Sequence, residues 1–217
     1  MADLEEYELW DYYPEHRKWF NKLWLSEQLG YYCGPCGYAP KKTKEYIVRP
    51  IYNLAGMGLG ATIQKITAHD RSIVPPGSFW CEIFTDTHYS CTYTWKFDHW
   101  TGLQSWEGYC DPTNLTKFTL WKKSNYFPKV PQLFNELQNV ESINIEFKGD
   151  NPIEVHLRPS GNPDGSVGHC KYSEFIPVWS DDLEITHDYI SRGYSYIENK
   201  ETADNFLEIY RAGFLVK

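Results

Sequence analysis

Apolar and polar positions alternate along the chain with two different periods, and the change from one to the other marks out the elements. Residues 15–29, EHRKWFNKLWLSEQL, set Trp19, Leu23 and Leu29 among charged neighbours at helical spacing, with Gly30 as a stop, so a helix is predicted there. Residues 31–45 mix Gly, Pro and Lys and read as a loop. EYIVRPIY (45–52) reads as a strand running into its turn; Pro50 has no ladder donor and belongs at a strand end or edge. Three glycines follow, Gly56, Gly58 and Gly60. After the turn at PPGS, the run from Phe79 to Phe97 is compatible with two strands. A turn-rich region then leads to Pro131, and PQLFNELQNV reads as a short helix. In SINIEF, KGDN and PIEVHLR the period drops to two around a turn, which predicts an antiparallel pair. NKETADNFLEIYRAG is amphipathic, with Asn199 and Glu201 suited to a helix start and Gly213 to a stop. No internal repeat or Gly/Ser linker divides the chain. The pattern predicts an α+β fold in which residues 1–217 form one compact unit or two interlocked halves.

Composition narrows the partners. A chain of 217 residues with 17% aromatic content can fill a substantial core. Its formal charge of −8, from 29 acidic and 21 basic residues, argues against a surface that wraps duplex nucleic acid, although a local basic pocket is compatible with it. No stretch approaches the length of an apolar membrane span, and the opening MADLEEYELWDYY is acidic where a secretory signal is basic and then apolar. A cytoplasmic protein without a membrane partner is expected, with free thiols as the default for its six cysteines.

Three stretches carry candidate chemistry. CGPC at 33–36 is open to three readings: a redox pair, half of a zinc site, or a turn. No helix is predicted to start at Cys33, and the other cysteines show no second close pair, so a loop is expected. The glycine-rich stretch after Arg49 matches neither a phosphate-binding P-loop nor a dinucleotide fingerprint. On the predicted hairpin, Glu154, His156 and Arg158 recur at steps of two and share a face, and the turn brings Glu146 opposite them. Two carboxylates, an imidazole and a guanidinium on one face suit Mg²⁺ and polyphosphate, as hard oxygen ligands and an arginine fork do; a solvent-facing hairpin is the alternative.

Taken in order, these segments resemble the ATP-grasp superfamily, whose members activate a carboxylate as an acyl phosphate with ATP and join it to an amine or similar nucleophile. FNKLWLSEQLGYYCGP resembles the family helix that opens with a nucleotide-contacting lysine, which implies Lys22 on the ATP phosphates. YIVRPIYNLAGMGLGA resembles the strand and glycine-rich loop that follow, with Arg49 where a lysine is usual and Gly56, Gly58 and Gly60 in the loop. FWCEIFTDTHYS is similar to the adenine hinge, which implies Glu82, Ile83 and Phe84 around the base and His88 in place of the acid that takes the ribose. INIEFKGDNPIEVHLRPSG implies Glu146, Glu154 and His156 as metal ligands, His156 replacing the usual asparagine, and Arg158 as a phosphate-side arginine. With Arg49 and Arg158 as catalytic groups, the resemblance implies an ATP- and Mg²⁺-dependent ligase of two α+β halves enclosing a nucleotide cleft.

The Lys22 helix stands near the start of the sequence, so no separate α/β domain is expected before it. A partner protein, a homodimer or a macromolecular substrate would then supply a wall for the carboxylate and amine substrates. A nucleotide-binding or nucleic-acid-associated interaction protein with altered chemistry is the alternative.

Overall fold

A computed structural model of the chain describes residues 5–52, 54, 60–111, 114–163, 165–166, 170–198 and 211–217. The fold is α+β and is built on two antiparallel sheets.

The chain begins with α1 (Glu6–Tyr12), a 3₁₀ turn over Pro14–Phe20, and α2 (Lys22–Gln28). The single helix expected over 15–29 is therefore broken. Asn21 leaves helical geometry, at φ −85° and ψ 99°, and its side-chain oxygen accepts the Trp24 N–H at 2.8 Å. An N-cap thus stands where the apolar spacing alone reads as continuous helix. Gly30 does end the segment, at φ 75°.

The small sheet contains β1 (Cys33–Pro35), β2 (Lys44–Pro50), β3 (Thr62–Ile66) and β4 (Ser78–Cys81), in the order β1-β4-β2-β3. The first three residues of CGPC, expected as a loop, form the edge strand β1, where a Cβ on Gly34 would meet the Trp80 ring at 2.8 Å. Tyr46, Val48, Ile66, Val74 and Trp80 make a core on one face of this sheet. Arg49 lies on the other face, because side chains alternate along β2.

The large sheet contains β5 (His88–Lys96), β6 (His99–Asp111), β7 (Asn114–Ser124), β8 (Ser142–Lys148), β9 (Asn151–His156), β10 (Glu174–Trp179), β11 (Ser195–Glu198) and β12 (Arg211–Val216), in the order β11-β12-β10-β7-β6-β5-β8-β9. The long hairpin β6–β7 occupies most of the region read as turn-rich. Its glycines are sites where rings cross the sheet. A Cβ at Gly102 would meet Phe127 at 2.3 Å, and one at Gly108 would meet Trp121 at 2.7 Å.

The segment PQLFNELQNV carries a 3₁₀ turn over Gln132–Leu137 that buries Phe134 and Leu137. A short helix, α3 (Ile185–Ser191), precedes β11. Of the amphipathic helix expected at 199–213, Asn199 and Glu201 lie outside the described residues. Gly213, expected as its stop, sits within β12, where a Cβ would meet the Ile197 carbonyl oxygen at 2.4 Å. Glycine is needed there for strand packing and not for a helix end.

Leu9, Trp19, Phe20 and Leu25 from the N-terminal helices pack with Ile143, Ile145, Phe147 and Val155 of β8 and β9 in one cluster. Burying one such side chain stabilises by about 1.5–3 kcal/mol, so this cluster fixes the helices on the large sheet. α2 also touches β1, and the Tyr31 hydroxyl donates to the Pro152 carbonyl at 3.0 Å. α2 and its following turn thereby link both sheets beside the 82–87 connection.

Candidate functional site

The β8–β9 hairpin forms as its alternation predicts, and its register places Glu146 directly opposite Glu154 and Asn144 opposite His156. Like charges directly opposite on a ladder destabilise it unless cations stand between them. Two do. Lys22 Nζ lies 2.7 Å from Glu154 Oε1, and His156 Nε2 lies 3.8 Å from Glu146 Oε1 and 3.9 Å from Glu154 Oε1. The Lys22 side chain is only 8% exposed. A buried lysine in the first turn of a helix opposes the helix dipole, so Glu154 is the partner that compensates it.

A residue absent from the sequence reading completes the cluster. Glu6 of α1, with its side chain 4% exposed, approaches His156 Nδ1 at 2.8 Å and Arg158 Nε at 3.3 Å. Burial pushes the Glu6 carboxyl up, but the charges of His156, Arg158 and Lys22 outweigh it and hold the group below its ordinary value. Burial likewise opposes charge on His156, yet Glu6, Glu146 and Glu154 raise it to about 10. Glu146 falls to about 2 against its own burial, through His156, His88 and Lys22. Three carboxylates and three basic side chains thus converge on one end of β8 and β9. Glu146, Glu154 and His156 also offer one ligand atom each within 4.8 Å of one another.

His88 opens β5 and is 5% exposed, with its ring 4.8 Å from Phe118 and 5.6 Å from Trp121. Its Nε2 is 3.5 Å from Glu146 Oε2 without hydrogen-bond geometry, and burial lowers it to about 4. His88 therefore backs Glu146 from within an aromatic pocket. The ribose role that the resemblance implies for His88 would have to be met by a ring buried to 5% exposure.

The small sheet holds the second group. Arg49 is 8% exposed, its guanidinium is 5.2 Å from the Phe79 ring centroid, and its Nε has no hydrogen-bond partner among the described residues. Glu82 uses Oε1 to accept the Tyr32 N–H at 2.7 Å, while its own N–H donates to the Tyr32 carbonyl at 2.9 Å. Ile83 and Phe84 lie in the connection between β4 and β5, with the Phe84 ring 4.7 Å from Tyr31. Gly60, at φ 77°, sits where a Cβ would meet Pro50 at 3.0 Å. Gly56 and Gly58 lie outside the described residues.

The sequence-predicted residues thus fall into two groups. Lys22, His88, Glu146, Glu154, His156 and Arg158 share the large-sheet cluster, and Arg49, Glu82, Ile83 and Phe84 share the small-sheet side. Glu6 had a legible signal: with Leu9 and Tyr13 it recurs at helical spacing along one buried stripe, which puts a carboxylate on an apolar face.

The architecture is ATP-grasp-like in fold. The chain superposes on an N5-carboxyaminoimidazole synthetase from Staphylococcus aureus with a TM-score of 0.55 at 11% identity, covering 91% of this chain and 66% of that one. It also superposes on an N5-carboxyaminoimidazole synthase from Aspergillus clavatus, solved with ADP and 5-aminoimidazole ribonucleotide, with a TM-score of 0.57 at 9% identity, covering 100% of this chain and 74% of that one. This chain therefore spans just under two thirds of the length of the bacterial enzyme. No family model and no curated protein matches the sequence. No helix among the described residues is long and apolar enough to cross a membrane.

Proposed function

We propose that this protein is an ATP-dependent ligase that activates a carboxylate as an acyl phosphate and joins it to an amine or a similar nucleophile. One observation carries the reading: on an ATP-grasp-like fold, a compact acidic cluster with Lys22 at its edge lies on one sheet, and the buried Arg49, whose Nε has no hydrogen-bond partner among the described residues, lies on the other. A buried guanidinium nitrogen without an acceptor fits an anionic ligand such as a phosphate chain.

The acidic cluster fits a divalent cation. Glu146 and Glu154 supply hard oxygens suited to Mg²⁺. His156 has Nε2 near both carboxylates while Glu6 holds Nδ1; as an imidazolium it stands in for the cation's charge, and it would ligate an ion only after giving up the Nε2 proton. When bound, the cation supplies charge that offsets repulsion between phosphoryl oxygens and the incoming carboxylate.

The protein side chains do the rest. Lys22 neutralises Glu154 in the resting site and transfers its ammonium to the phosphates, which frees the Glu154 carboxylate. Arg49 and Arg158 steady charge as it shifts along the phosphate chain. His88 holds Glu146 in place, and Ile83 and Phe84 flank the base. The substrates belong to the carboxylate and amine classes, a macromolecular carboxylate among them, with a second copy or a partner protein as candidate partners in a cytoplasmic setting.

The test is calorimetric titration with a non-hydrolysable ATP analogue and Mg²⁺, followed by a screen for ADP release with pooled carboxylates and amines. Saturable binding weakened by Glu154→Gln, and an adduct one water lighter than its reactants, are expected. No binding across salt and divalent-ion conditions would sink the reading.

A further inference from the structure

A pair of sulfurs beside the hinge is not used by any of this machinery. β1 and β4 pair with Cys33 opposite Cys81. On either side, the Glu82 N–H donates to the Tyr32 carbonyl at 2.9 Å and the Cys36 N–H donates to the Ser78 carbonyl at 3.1 Å. Hydrogen-bonded and non-hydrogen-bonded pairs alternate along an antiparallel ladder, so Cys33 and Cys81 form a non-hydrogen-bonded pair. That kind of pair brings opposing Cα atoms to about 4.5 Å and their side chains closest together. A disulfide spans Cα separations of roughly 4.4–6.8 Å, so this register meets its requirement without moving the backbone.

The C-x-x-C spacing points to a different couple, and strand geometry argues against it. Cys36 is exposed and lies just past β1, in the turn that the Tyr38 N–H closes on the Pro35 carbonyl at 3.0 Å, whereas Cys33 faces Cys81 across the ladder. The proper partner of Cys33 is therefore distant in sequence.

The local chemistry agrees. The interaction between the two facing thiols holds Cys81 below its ordinary value and Cys33 above it. The positive charge of Arg49 favours the thiolate at both sulfurs. Cys81 is buried, whereas Cys33 is only half-buried and gives a small oxidant access to the pair.

We propose that Cys33 and Cys81 are a redox modification site, joined in a reversible disulfide by an oxidant of the peroxide class. Hydrogen peroxide oxidises one of the two sulfurs, as its thiolate, to a sulfenic acid and releases one water. The other cysteine attacks that sulfur; the S–S bond forms, the S–O bond breaks, and the departing hydroxide takes up the attacking thiol's proton as the second water. Two thiols and one peroxide give one disulfide and two waters, and a dithiol reductant reverses the change. The bond fastens the β1 edge to the last residue of β4, next to Glu82 and the connection that leads to the large sheet. It rests on the strand register and stands whether or not the cleft takes a nucleotide.

The test treats the full chain with hydrogen peroxide, blocks remaining thiols with iodoacetamide, and maps the unreduced digest by mass spectrometry. A linked pair of peptides containing Cys33 and Cys81, two hydrogens lighter than its separate halves and lost on dithiothreitol treatment, is expected. The same pair is expected in Cys36→Ser, a change at an exposed position. Alkylation of both Cys33 and Cys81 after peroxide, a Cys33–Cys36 bridge in place of the cross-strand one, or overoxidation of Cys33 without a bridge overturns the proposal. The decisive map is made on the unaltered sequence, so it does not depend on a variant folding.

Discussion

On the large sheet, Glu146 and Glu154 face each other with Lys22 and His156 between them and Glu6 behind, whereas on the small sheet Arg49 is buried above Phe79 with an Nε that has no hydrogen-bond partner among the described residues. Both sides bury charge, but in different states of completion. The large-sheet cluster sets carboxylate against cation, although Arg158 Nε and His88 Nε2 make no hydrogen bond among the described residues, and is a source of cohesion in the protein without ligand. Arg49 has the Phe79 ring against its guanidinium and no carboxylate within ion-pair distance among the described residues. A buried charge that the fold compensates serves stability, and one that the fold leaves uncompensated serves a ligand.

The sharpest way to break this comparison is to remove one member of the complete cluster. Glu6→Gln leaves His156 and Arg158 facing each other with less negative charge, and unpairing a buried ion pair of this kind destabilises by about 3–5 kcal/mol. Chemical denaturation should show a loss of that order. A loss below about 1 kcal/mol would mean that the cluster is not cohesive.

Titration examines the same cluster without removing atoms. His156 has a folded value of about 10, above its ordinary 6.5, so its contribution is complete below pH 6.5 and is lost as pH rises through 10. Glu146 has a folded value of about 2, below its ordinary 4.5, so its contribution is complete above pH 4.5 and is lost as pH falls through 2. Neutral His88, lowered to about 4, contributes fully above pH 6.5 and loses its contribution as pH falls toward 4. Stability should therefore peak near pH 6.5 and decline on both sides. Denaturant midpoints that stay flat between pH 6.5 and 10 would contradict the assignment to His156.

Arg49→Met should separate the two sides. The protein without ligand is expected to keep its stability within about 1 kcal/mol, since Arg49 forms no ion pair among the described residues and the methionine keeps an apolar stem over Phe79, while affinity for an ATP analogue falls by roughly 10²-fold. Equal losses in both measurements would show that Arg49 is structural.

The smallest expected effect concerns Mg²⁺ alone. Lys22 and His156 already occupy the space between the carboxylates, so the ion without nucleotide should stabilise by less than about 1 kcal/mol, and clearly more once an ATP analogue draws Lys22 away. Thermal shifts with each ligand separately and together read this directly.

The sequence disclosed the β8–β9 hairpin well, because alternation around KGDN buries Ile145, Phe147 and Val155, although a register shift between Glu146 and Phe147 was not legible. From that alternation the shared face of Glu154, His156 and Arg158 followed. The β6–β7 hairpin was hidden because glycines that normally break strands are here the gaps that admit Phe127 and Trp121, a fact of three-dimensional packing. Glu6 was missed for another reason: its spacing with Leu9 and Tyr13 was legible, but an acidic residue in an acidic N-terminal stretch reads as solvated until α1 is known to dock on the hairpin. Likewise, only the ladder register shows that Cys33 belongs with Cys81.

The Glu6–His156 contact joins residues 150 positions apart. A pairing that closes so long a loop gives nothing back until much of the chain is ordered, whereas the β8–β9 turn can form locally. We expect the hairpin to lie in the folding nucleus and α1 to dock after the rate-limiting step. Loss of Glu6 should then appear almost wholly as faster unfolding, with a φ-value near zero; a slowed refolding limb in Glu6→Gln would contradict that order. The feature that fixes the acidic cluster in the native state would thus also govern how long the native state persists.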